Sequence, residues 1–385
     1  MSIQLFVPKF EVDECLEAIK ECLEKGWSGL GYKTIEFESA WNKYTGFSNS
    51  HFVNSATAGL HLAIKVLKIH YQWDDDAEVI STPLTFVSTN HAIKYENLQV
   101  VFADIDQYLC LDPQDVEKKI TDKTKAVMYV GIGGNTGRYK EIVALCKKYK
   151  LHLIVDAAHM AGTRLNGCIP GKEADAVVYS FQAVKNLPTA DAGMVCFQNS
   201  QCDNLCRKLT WLGIDKTTFD RVEKKGAYKW MYEVEHLGYK YHGNSILASI
   251  GLVQLKYLDR DNSYRRQLAK WYDNRLKDYA SMITVIPIPR ECEPSYHTYI
   301  IRVKNRNELI LALNQAGIYP GVHYRDNTHY PMYAYGQGTC PNSHKITEEI
   351  LSLPLHLNMG KADIDYVCNE VINYACERGN ANEIL

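Results

Sequence analysis

The sequence lacks the features that would place the protein in a membrane or in the secretory pathway. None of its apolar runs approaches the ~18 uncharged residues of a membrane-spanning helix. The N-terminal segment MSIQLFVPKFEVDECLEAIKECLEKG has no basic region followed by an apolar core. The twelve cysteines include no CxxC pair, which predicts reduced thiols rather than a disulfide framework. We therefore expect a cytoplasmic protein that does not bind a membrane.

An excess of charge of either sign is also missing. Lysine plus arginine total 43 and aspartate plus glutamate 45, so the net charge is −2. A nucleic-acid partner usually requires a basic excess or a clustered basic patch, and we expect none. Cys202 and Cys206 are four residues apart, but no histidine-rich segment lies near them in the sequence. No metal site is predicted.

The length and the order of the patterns predict an α/β protein with two domains. The 385 residues are 46% hydrophobic and 23% charged, which are globular values. Strand and helix patterns alternate over residues 50–200, which predicts a mostly parallel sheet flanked by helices. From residue 283 the pattern changes to α+β. We expect a large domain over 1–258, whose N-terminal helix could pack on the other domain, and a small C-terminal domain over 259–385.

A turn between two predicted strands carries the first candidate for catalysis. Residues 175–197 read DAVVYSFQAVKNLPTADAGMVCF, and the runs Ala176–Ser180 and Gly193–Phe197 fit buried strands around Lys185. Apolar walls disfavour the ammonium form, so a lysine held there becomes a nucleophile toward carbonyl groups. The alternative is an ordinary solvated loop lysine. This stretch alone does not decide between the two.

Two segments are candidates for binding a phosphate. One begins with residues that carry hydroxyl groups, and the other is rich in glycine. The run SATAGLHLAIKVLKI begins a predicted helix at residues 55–57, and free N–H groups at such a start bind anions. Ordinary N-capping by Ser55 or Thr57 is the alternative. The cluster GIGGNTG after residue 130 has neither the GxGxxG spacing nor a GK[ST] ending. This absence counts against a nicotinamide dehydrogenase and against a P-loop.

Polar residues fall at the ends of several predicted strands, where ligands of parallel sheets bind. They lie in segments 54–57, 83–86, 156–159 and 180–185. A buried carboxylate at Asp156 opposite Lys185 would keep a pyridine nitrogen protonated while the lysine holds an aldehyde. A helix start at residues 56–57 and the hydroxyl of Ser180 would hold a phosphate. Together these groups match a pyridoxal-phosphate site.

The sequence resembles a known family over nearly its whole length. Its ordered motifs are similar to those of the DegT/DnrJ/EryC1/StrS family of sugar aminotransferases, which are pyridoxal 5′-phosphate enzymes of fold type I. The motifs are GLGYKTIEFE, NSATAGLHLAI, TPLTFVST, VFADID, VDAAHMAGT, SFQAVKNL, GVHYRDNTHYPMY and CPNSHKITEEILSLPLH. The resemblance implies a homodimer with active sites shared between subunits, and the aromatic segment 228–241 is a candidate shared surface.

The resemblance also implies roles for single residues. Lys185 corresponds to the lysine that forms the Schiff base and moves the proton, and Asp156 to the partner of the pyridine nitrogen. His159, where the family often has glutamine, would lie near the ring hydroxyl, and Phe86 would stack on the ring. The phosphate contacts implied are Ala56, Thr57 and Ser180. Candidates for sugar or nucleotide contacts are His323, Tyr324 and His329.

Three departures from the family pattern are visible. SATAGL replaces the usual SGTAAL, but Ala56 keeps the backbone N–H that a phosphate needs. LGYKYHGN replaces GYNYR, whose asparagine serves the phosphate of the neighbouring subunit, so the resemblance assigns that role to Lys240, acting as a point charge. VGIGG replaces VHLYG, which removes a histidine at Gly131.

The implied activity is a transamination in two half-reactions. Glutamate would donate an amino group, and a nucleotide-linked keto sugar would accept it at C-3 or C-4 for deoxyamino sugar or polysaccharide biosynthesis. One alternative is a dehydratase of the same fold, but that branch has histidine in place of the lysine. Another is a non-catalytic sensor of pyridoxal phosphate or nucleotide sugar, which would be expected to lose the nucleophile or to gain a DNA-binding module. An intact Lys185 favours amino transfer.

Overall fold

The computed structural model describes residues 2–215 and 232–382, which form an α/β structure built on one large sheet. The helices are α1 (Val12–Glu24), α2 (Tyr32–Thr45), α3 (Ala56–His70), α4 (Val87–Lys94), α5 (Pro113–Lys118), α6 (Tyr139–Tyr149), α7 (Ser200–Thr210), α8 (Ser245–Leu276), α9 (Arg306–Gln315), α10 (Pro341–Thr347) and α11 (Lys361–Asn382). The strands are β1 (Ile3–Gln4), β2 (Asn49–Val53), β3 (Glu78–Ser81), β4 (Gln99–Phe102), β5 (Thr124–Val130), β6 (His152–Asp156), β7 (Arg164–Leu165), β8 (Ala176–Ser180), β9 (Gly193–Phe197), β10 (Ile283–Val285), β11 (Cys292–Glu293), β12 (Tyr299–Val303), β13 (Ile318–Tyr319) and β14 (Ile350–Leu353). Among the described residues, no helix combines the length and the apolar character needed to cross a bilayer.

The large sheet has seven strands in the order β2-β9-β8-β6-β5-β3-β4. Strand β9 runs antiparallel to both of its neighbours, and every other adjacent pair is parallel. The predicted mostly parallel sheet is therefore confirmed. In register, Asp156 lies beside Val130 on one side and Val178 on the other, while Ser180 lies beside Gly193. These pairings bring the ends of four strands to one edge of the sheet.

Helices cover both faces of the sheet because its strands are apolar on both sides. In β8, Tyr179 belongs to one buried cluster and Val178 to the other. Tyr179 packs edge-on against Trp41 of α2, with 4.9 Å between the ring centroids. Both aromatic side chains are fully buried. Such a sheet fixes the position of its strand ends, and those ends carry the candidate site.

The C-terminal part of the chain has its own sheet and its own core. Strands β10, β12 and β14 form an antiparallel sheet, and the core beside it includes Tyr272 and Ile301. Helix α8 has 32 residues and passes through position 258 without a break. We propose that residues 259–385 form the small domain and that α8 belongs to both domains.

The N-terminal segment divides its contacts between the two parts. Helix α1 packs on the first half of α8, where Cys22 Sγ lies 3.0 Å from Ser249 Oγ. It is strand β1 that joins the C-terminal part, since Ile3 pairs in parallel with Ile318 of β13. The sequence predicts that the N-terminal helix could pack on the small domain. In the structure β1 makes that contact, whereas the cysteine face of α1 is buried against α8.

Candidate active site

A cavity of about 430 Å³ opens at the carboxyl ends of β2, β3, β5, β6 and β8. Most of the residues singled out in the sequence line it. Its polar lining residues are Ser55, Thr57, Thr85, Ser88, Asp156, His159, Ser180, Gln182, Lys185, Asp191, His297, His323 and Tyr324. Its apolar and glycine lining residues are Phe6, Ala56, Leu60, Phe86, Val130, Gly131, Ala158, Val184 and Ala192.

Lys185 projects from the loop 181–192, which connects β8 to β9 and contains the predicted turn. Backbone hydrogen bonds close the turn, among them Phe181 N–H to Ala192 O at 2.8 Å and Ala183 N–H to Ala190 O at 2.8 Å. The surrounding walls remove water from the amine, and this burial lowers the pKa of Lys185 to about 8, although Asp156 acts in the opposite direction. A substantial fraction of the amine is therefore neutral near physiological pH.

Asp156 is the last residue of β6 and is buried on the floor of the cavity. Its Oδ2 accepts a hydrogen bond from the Thr89 hydroxyl at 2.7 Å, and its Oδ1 accepts one from the Ala158 N–H at 3.1 Å. Burial raises the pKa of the carboxyl, while both hydrogen bonds and the charge of Lys185 lower it. The carboxylate is oriented by these bonds and is buried from solvent, so a cationic group in the cavity would be a strong partner.

His159 is buried and linked to Tyr324. The Gly133 N–H donates to His159 Nδ1 at 3.1 Å, and His159 Nε2 lies 2.9 Å from the Tyr324 hydroxyl. Burial lowers the pKa of His159 well below its usual value, so the ring is neutral. Because Nδ1 accepts a bond, the ring proton is on Nε2 and is donated to Tyr324. The hydroxyl hydrogen of Tyr324 can then point into the cavity.

The start of α3 forms another wall of the cavity. Ser55 caps the helix, with its hydroxyl accepting from the Ala58 N–H at 3.1 Å. The N–H groups of Ala56 and Thr57 belong to the open first turn, which attracts anions. Gly193 of β9 runs close to this turn, since a Cβ there would lie 2.8 Å from the Ala56 nitrogen. Glycine at this position lets the strand and the helix start meet.

Phe86 borders the open side of the cavity. It is 56% exposed although it is a large aromatic residue. Its ring lies 5.8 Å from that of Tyr324, at an interplanar angle of 51°. An exposed aromatic at a cavity mouth is available to cover a flat ligand or to be covered by another chain.

Two of the sequence candidates lie elsewhere. Lys240 is not among the described residues that line the cavity, and its Nζ is 3.3 Å from the ring centroid of Trp211. His329 is in a short 3-10 helix and its ring is 5.2 Å from that of His344. His323 and Tyr324 do line the cavity. The phosphate role of Lys240 stays a prediction that requires a second subunit.

Three residues of the site were not among the sequence candidates. Thr89 binds Asp156, His297 lies beside Lys185, and Phe6 stacks on His297. Thr89 could have been noticed one turn after Phe86 on the same predicted helix. His297 and Phe6 carry no local signal, because the fold brings them to the cavity from distant parts of the chain.

The residues present fit pyridoxal phosphate. Asp156 could hold the protonated ring nitrogen, Lys185 the aldehyde, and the turn at Ala56 and Thr57 the phosphate, with Phe86 beside the ring. Within residues 2–215 and 232–382, no three histidine, cysteine, aspartate or glutamate side chains form a group that could hold a metal ion. A buried amine, a buried carboxylate and an open helix start are groups that an organic cofactor with an aldehyde and a phosphate requires.

Comparison with known proteins agrees with this chemistry. The model of the DegT/DnrJ/EryC1/StrS aminotransferase family matches residues 10–372. The spore coat polysaccharide biosynthesis protein SpsC of Bacillus subtilis is 33% identical over 370 residues, which cover 93% of this chain and 93% of that protein.

Solved structures of aminotransferases have a similar fold. The aminotransferase TlmJ from Streptoalloteichus hindustanus is 31% identical, with a TM-score of 0.86 over 96% of this chain and 97% of that one. Helicobacter pylori PseC, an aminotransferase involved in the biosynthesis of pseudoaminic acid, is 26% identical, with a TM-score of 0.88 over 97% and 99% of the two chains. The chain belongs to the DegT/DnrJ/EryC1/StrS family of sugar aminotransferases, fold type I enzymes whose cofactor is pyridoxal 5′-phosphate.

Proposed function

We propose that the protein transfers an amino group from glutamate to a nucleotide-linked keto sugar, at C-3 or C-4, in the biosynthesis of a deoxyamino sugar or polysaccharide. The observation that carries the proposal is the pairing of Lys185 and Asp156 in one cavity of a sugar-aminotransferase fold. The similarity to SpsC, a polysaccharide biosynthesis protein, and to PseC supports a sugar acceptor.

Each side chain has a distinct task in this scheme. When bound, pyridoxal phosphate supplies an aldehyde that takes up amino groups and a ring that withdraws electrons from the reacting carbon. Asp156 holds the proton on the ring nitrogen. Lys185 Nζ would move a proton from Cα of the amino donor to C4′ of the cofactor in the first half-reaction, and from C4′ to the sugar carbon in the second. A lysine with a pKa near 8 can both accept and give up this proton near neutral pH.

His159 and Tyr324 form a hydrogen-bonded pair in the lining of the cavity. Their hydrogen bond of 2.9 Å leaves the Tyr324 hydroxyl hydrogen free to bind an oxygen of the cofactor or of the sugar. His323 lines the same cavity, and its Nδ1 lies 2.8 Å from the Ser352 hydroxyl. We assign contacts to the sugar to His323 and Tyr324, which the C-terminal part of the chain contributes.

A homodimer with shared active sites is part of the proposal. Phe86 is 56% exposed at the cavity mouth, which is consistent with cover by a second subunit. Lys240 is exposed in its own chain and would reach the phosphate of the neighbouring subunit. The aromatic surface predicted over 228–241 is described only from residue 232 onward, so residues 228–231 lie outside the described part.

The experiment is a screen of nucleotide-linked 3-keto and 4-keto sugars with glutamate. We expect one class to yield an amino sugar and an equal amount of 2-oxoglutarate, both measured by mass spectrometry. Lys185→Ala is the control, since it keeps the cavity and loses the amine. A product that has lost a hydroxyl without gaining nitrogen would indicate the dehydratase reaction. Activity on free α-keto acids alone would contradict the sugar assignment.

A further inference from the structure

Lys185 has a neighbour that the scheme above does not use. Its Nζ lies 3.3 Å from Nε2 of His297, which is within hydrogen-bond distance. His297 is 1% exposed. Its other ring nitrogen, Nδ1, has no hydrogen-bond partner among the described residues. A buried imidazole that bonds only to the reacting lysine calls for a physical reason.

The ring of His297 is held firmly in this position. The backbone N–H of His297 donates to the Gly133 carbonyl at 3.1 Å. The Phe6 ring stacks on the imidazole with 5.0 Å between centroids and 10° between planes. The His159 ring lies 4.3 Å away, centroid to centroid. These contacts fix the ring and leave Nε2 directed at Lys185.

The unpartnered Nδ1 decides which way the hydrogen bond runs. If Lys185 were an ammonium donating to Nε2, the imidazole proton would be on Nδ1, where a buried N–H would have no acceptor. If Nε2 carries the proton, it donates to the lone pair of a neutral amine, and Nδ1 is left as an unpaired acceptor. Unpaired buried N–H groups are rarer in proteins than under-satisfied acceptors. The second arrangement is therefore favoured.

A doubly protonated ring is not compatible with the surroundings. Burial lowers the pKa of His297 well below its usual value, and the charge of Lys185 together with His159 and His323 lowers it further. The ring is thus a neutral imidazole with a single proton to place.

We propose that His297 is a positioning residue that donates from Nε2–H to the Lys185 amine and so stabilises the neutral, nucleophilic form of the lysine. The bond also points the amine nitrogen toward one wall of the cavity. Protonation of Lys185 breaks the bond, because an ammonium has no lone pair to accept it, and a reversed bond would require the ring proton to move to the unpartnered Nδ1. The proposal rests on Lys185 as the reacting lysine, but it concerns the free protein and needs no substrate.

Other titratable groups also surround the amine. Those that line its two sides are Lys9, Asp156, His159, Asp191, Asp261, Arg265, His323, Tyr324 and His356. Asp156 raises the pKa of Lys185, opposing burial. His323 is a suitable comparison, because it lines the same cavity but its Nδ1 bonds to Ser352.

The test measures the pKa of Lys185 in the full-length, cofactor-free protein. Lysines are trace-labelled with acetic anhydride between about pH 6 and about pH 11, a range that includes the pKa of free lysine. Mass spectrometry of the peptide containing Lys185 then reports the neutral fraction of its amine at each pH. In His297→Gln the amide can turn its oxygen to an ammonium, so we expect the pKa to rise by about one unit and labelling at pH 7 to fall about tenfold. His323→Gln should leave both unchanged.

An unchanged or lowered pKa of Lys185 in His297→Gln would overturn the proposal, as would an equal rise in His323→Gln.

A second measurement uses only the wild-type protein, so it does not depend on whether a variant folds. Two-bond ¹⁵N–¹H spectra of the wild-type protein labelled at histidine distinguish the tautomers, and the proposal requires His297 to be protonated at Nε2 and bare at Nδ1. A proton on Nδ1 would contradict it. Neither result depends on which sugar is aminated, so failure here is distinct from failure of the proposed function.

Discussion

The Thr89 hydroxyl donates a hydrogen bond of 2.7 Å to Oδ2 of Asp156, and this bond joins α4 to the end of β6. Thr89 is fully buried, and its hydroxyl is also 2.8 Å from that of Thr85. The carboxylate is thus oriented by a side chain that comes from helix α4 and not from a strand of the sheet. Because the site depends on the position of the Asp156 charge, removing this hydrogen bond should change the affinity for the cofactor.

We predict that Thr89→Val weakens cofactor binding. The change keeps the shape of the side chain but leaves one oxygen of a buried carboxylate without a donor, which raises the pKa of Asp156 further and reduces its charge. The expected loss is about 1–2 kcal/mol, or roughly tenfold in the dissociation constant of pyridoxal phosphate. Titration followed by absorbance measures it.

The matched control is Thr45→Val. Thr45 is also buried, but its hydroxyl donates to the Trp41 carbonyl within α2, and it does not line the cavity. Equal cofactor affinity in Thr89→Val and the wild-type protein would show that the threonine does not support Asp156.

Gly193→Ala should damage the phosphate end of the site. A Cβ at Gly193 would lie 2.8 Å from both the Ala56 nitrogen and the Tyr179 oxygen, and the backbone there cannot yield without moving the start of α3. We expect a loss of about 1–3 kcal/mol in unfolding free energy together with weaker cofactor binding. Gly29→Ala is the control, since no atom lies within 4 Å of a Cβ there. Chemical denaturation of both variants measures the stability, and equal values would refute the close approach.

The pH dependence of cofactor capture should follow Lys185. Its pKa of about 8 leaves about one amine in ten neutral at pH 7, against roughly one in three thousand for an unperturbed lysine. Only the neutral amine attacks an aldehyde, so the capture rate should rise with pH and level off above about pH 8. Stopped-flow mixing of cofactor-free protein with pyridoxal phosphate gives the profile. A rate that still climbs tenfold per unit between pH 8.5 and 10 would mean that the lysine is not perturbed.

Hybrid dimers test the shared site. If Lys240 serves the neighbouring subunit, Lys240→Met should weaken cofactor binding by about tenfold, as expected for loss of one charged contact to a phosphate. Mixing Lys240→Met chains with Lys185→Ala chains should restore activity at limiting cofactor, because each hybrid contains one intact site. No gain over the two parents would place both residues in the same subunit's site or remove Lys240 from it.

Much of the fold and the centre of the site could be predicted from the sequence because their signals are local. Strands β8 and β9 have the predicted bounds, since each is a short apolar run beside polar turn residues. Asp156 ends such a run and Lys185 lies in the loop after another, and strand ends of a parallel sheet meet at one edge. Placement of both residues in one cavity follows from that rule alone.

The remaining parts depend on contacts between distant segments. His297 is 112 positions from Lys185 in sequence, and Phe6 reaches it from the N-terminus. No periodic pattern in the sequence indicates that such distant residues are in contact. Lys240 shows the reverse, because a motif match assigned it to a phosphate while its own chain places it over Trp211. A role supplied from another subunit cannot be located from one chain's local pattern.

The central claim is that the Lys185 amine carries out amino transfer to a keto sugar. The most direct measurement compares the wild-type protein and Lys185→Ala, both supplied with pyridoxal phosphate, glutamate and the nucleotide-linked keto sugar found in the screen, by mass spectrometry of the amino sugar. We expect steady product from the wild-type protein and a loss of at least about a thousandfold in Lys185→Ala, the scale of a lost proton-transfer group. Amino transfer by Lys185→Ala at a rate near that of the wild-type protein would contradict it.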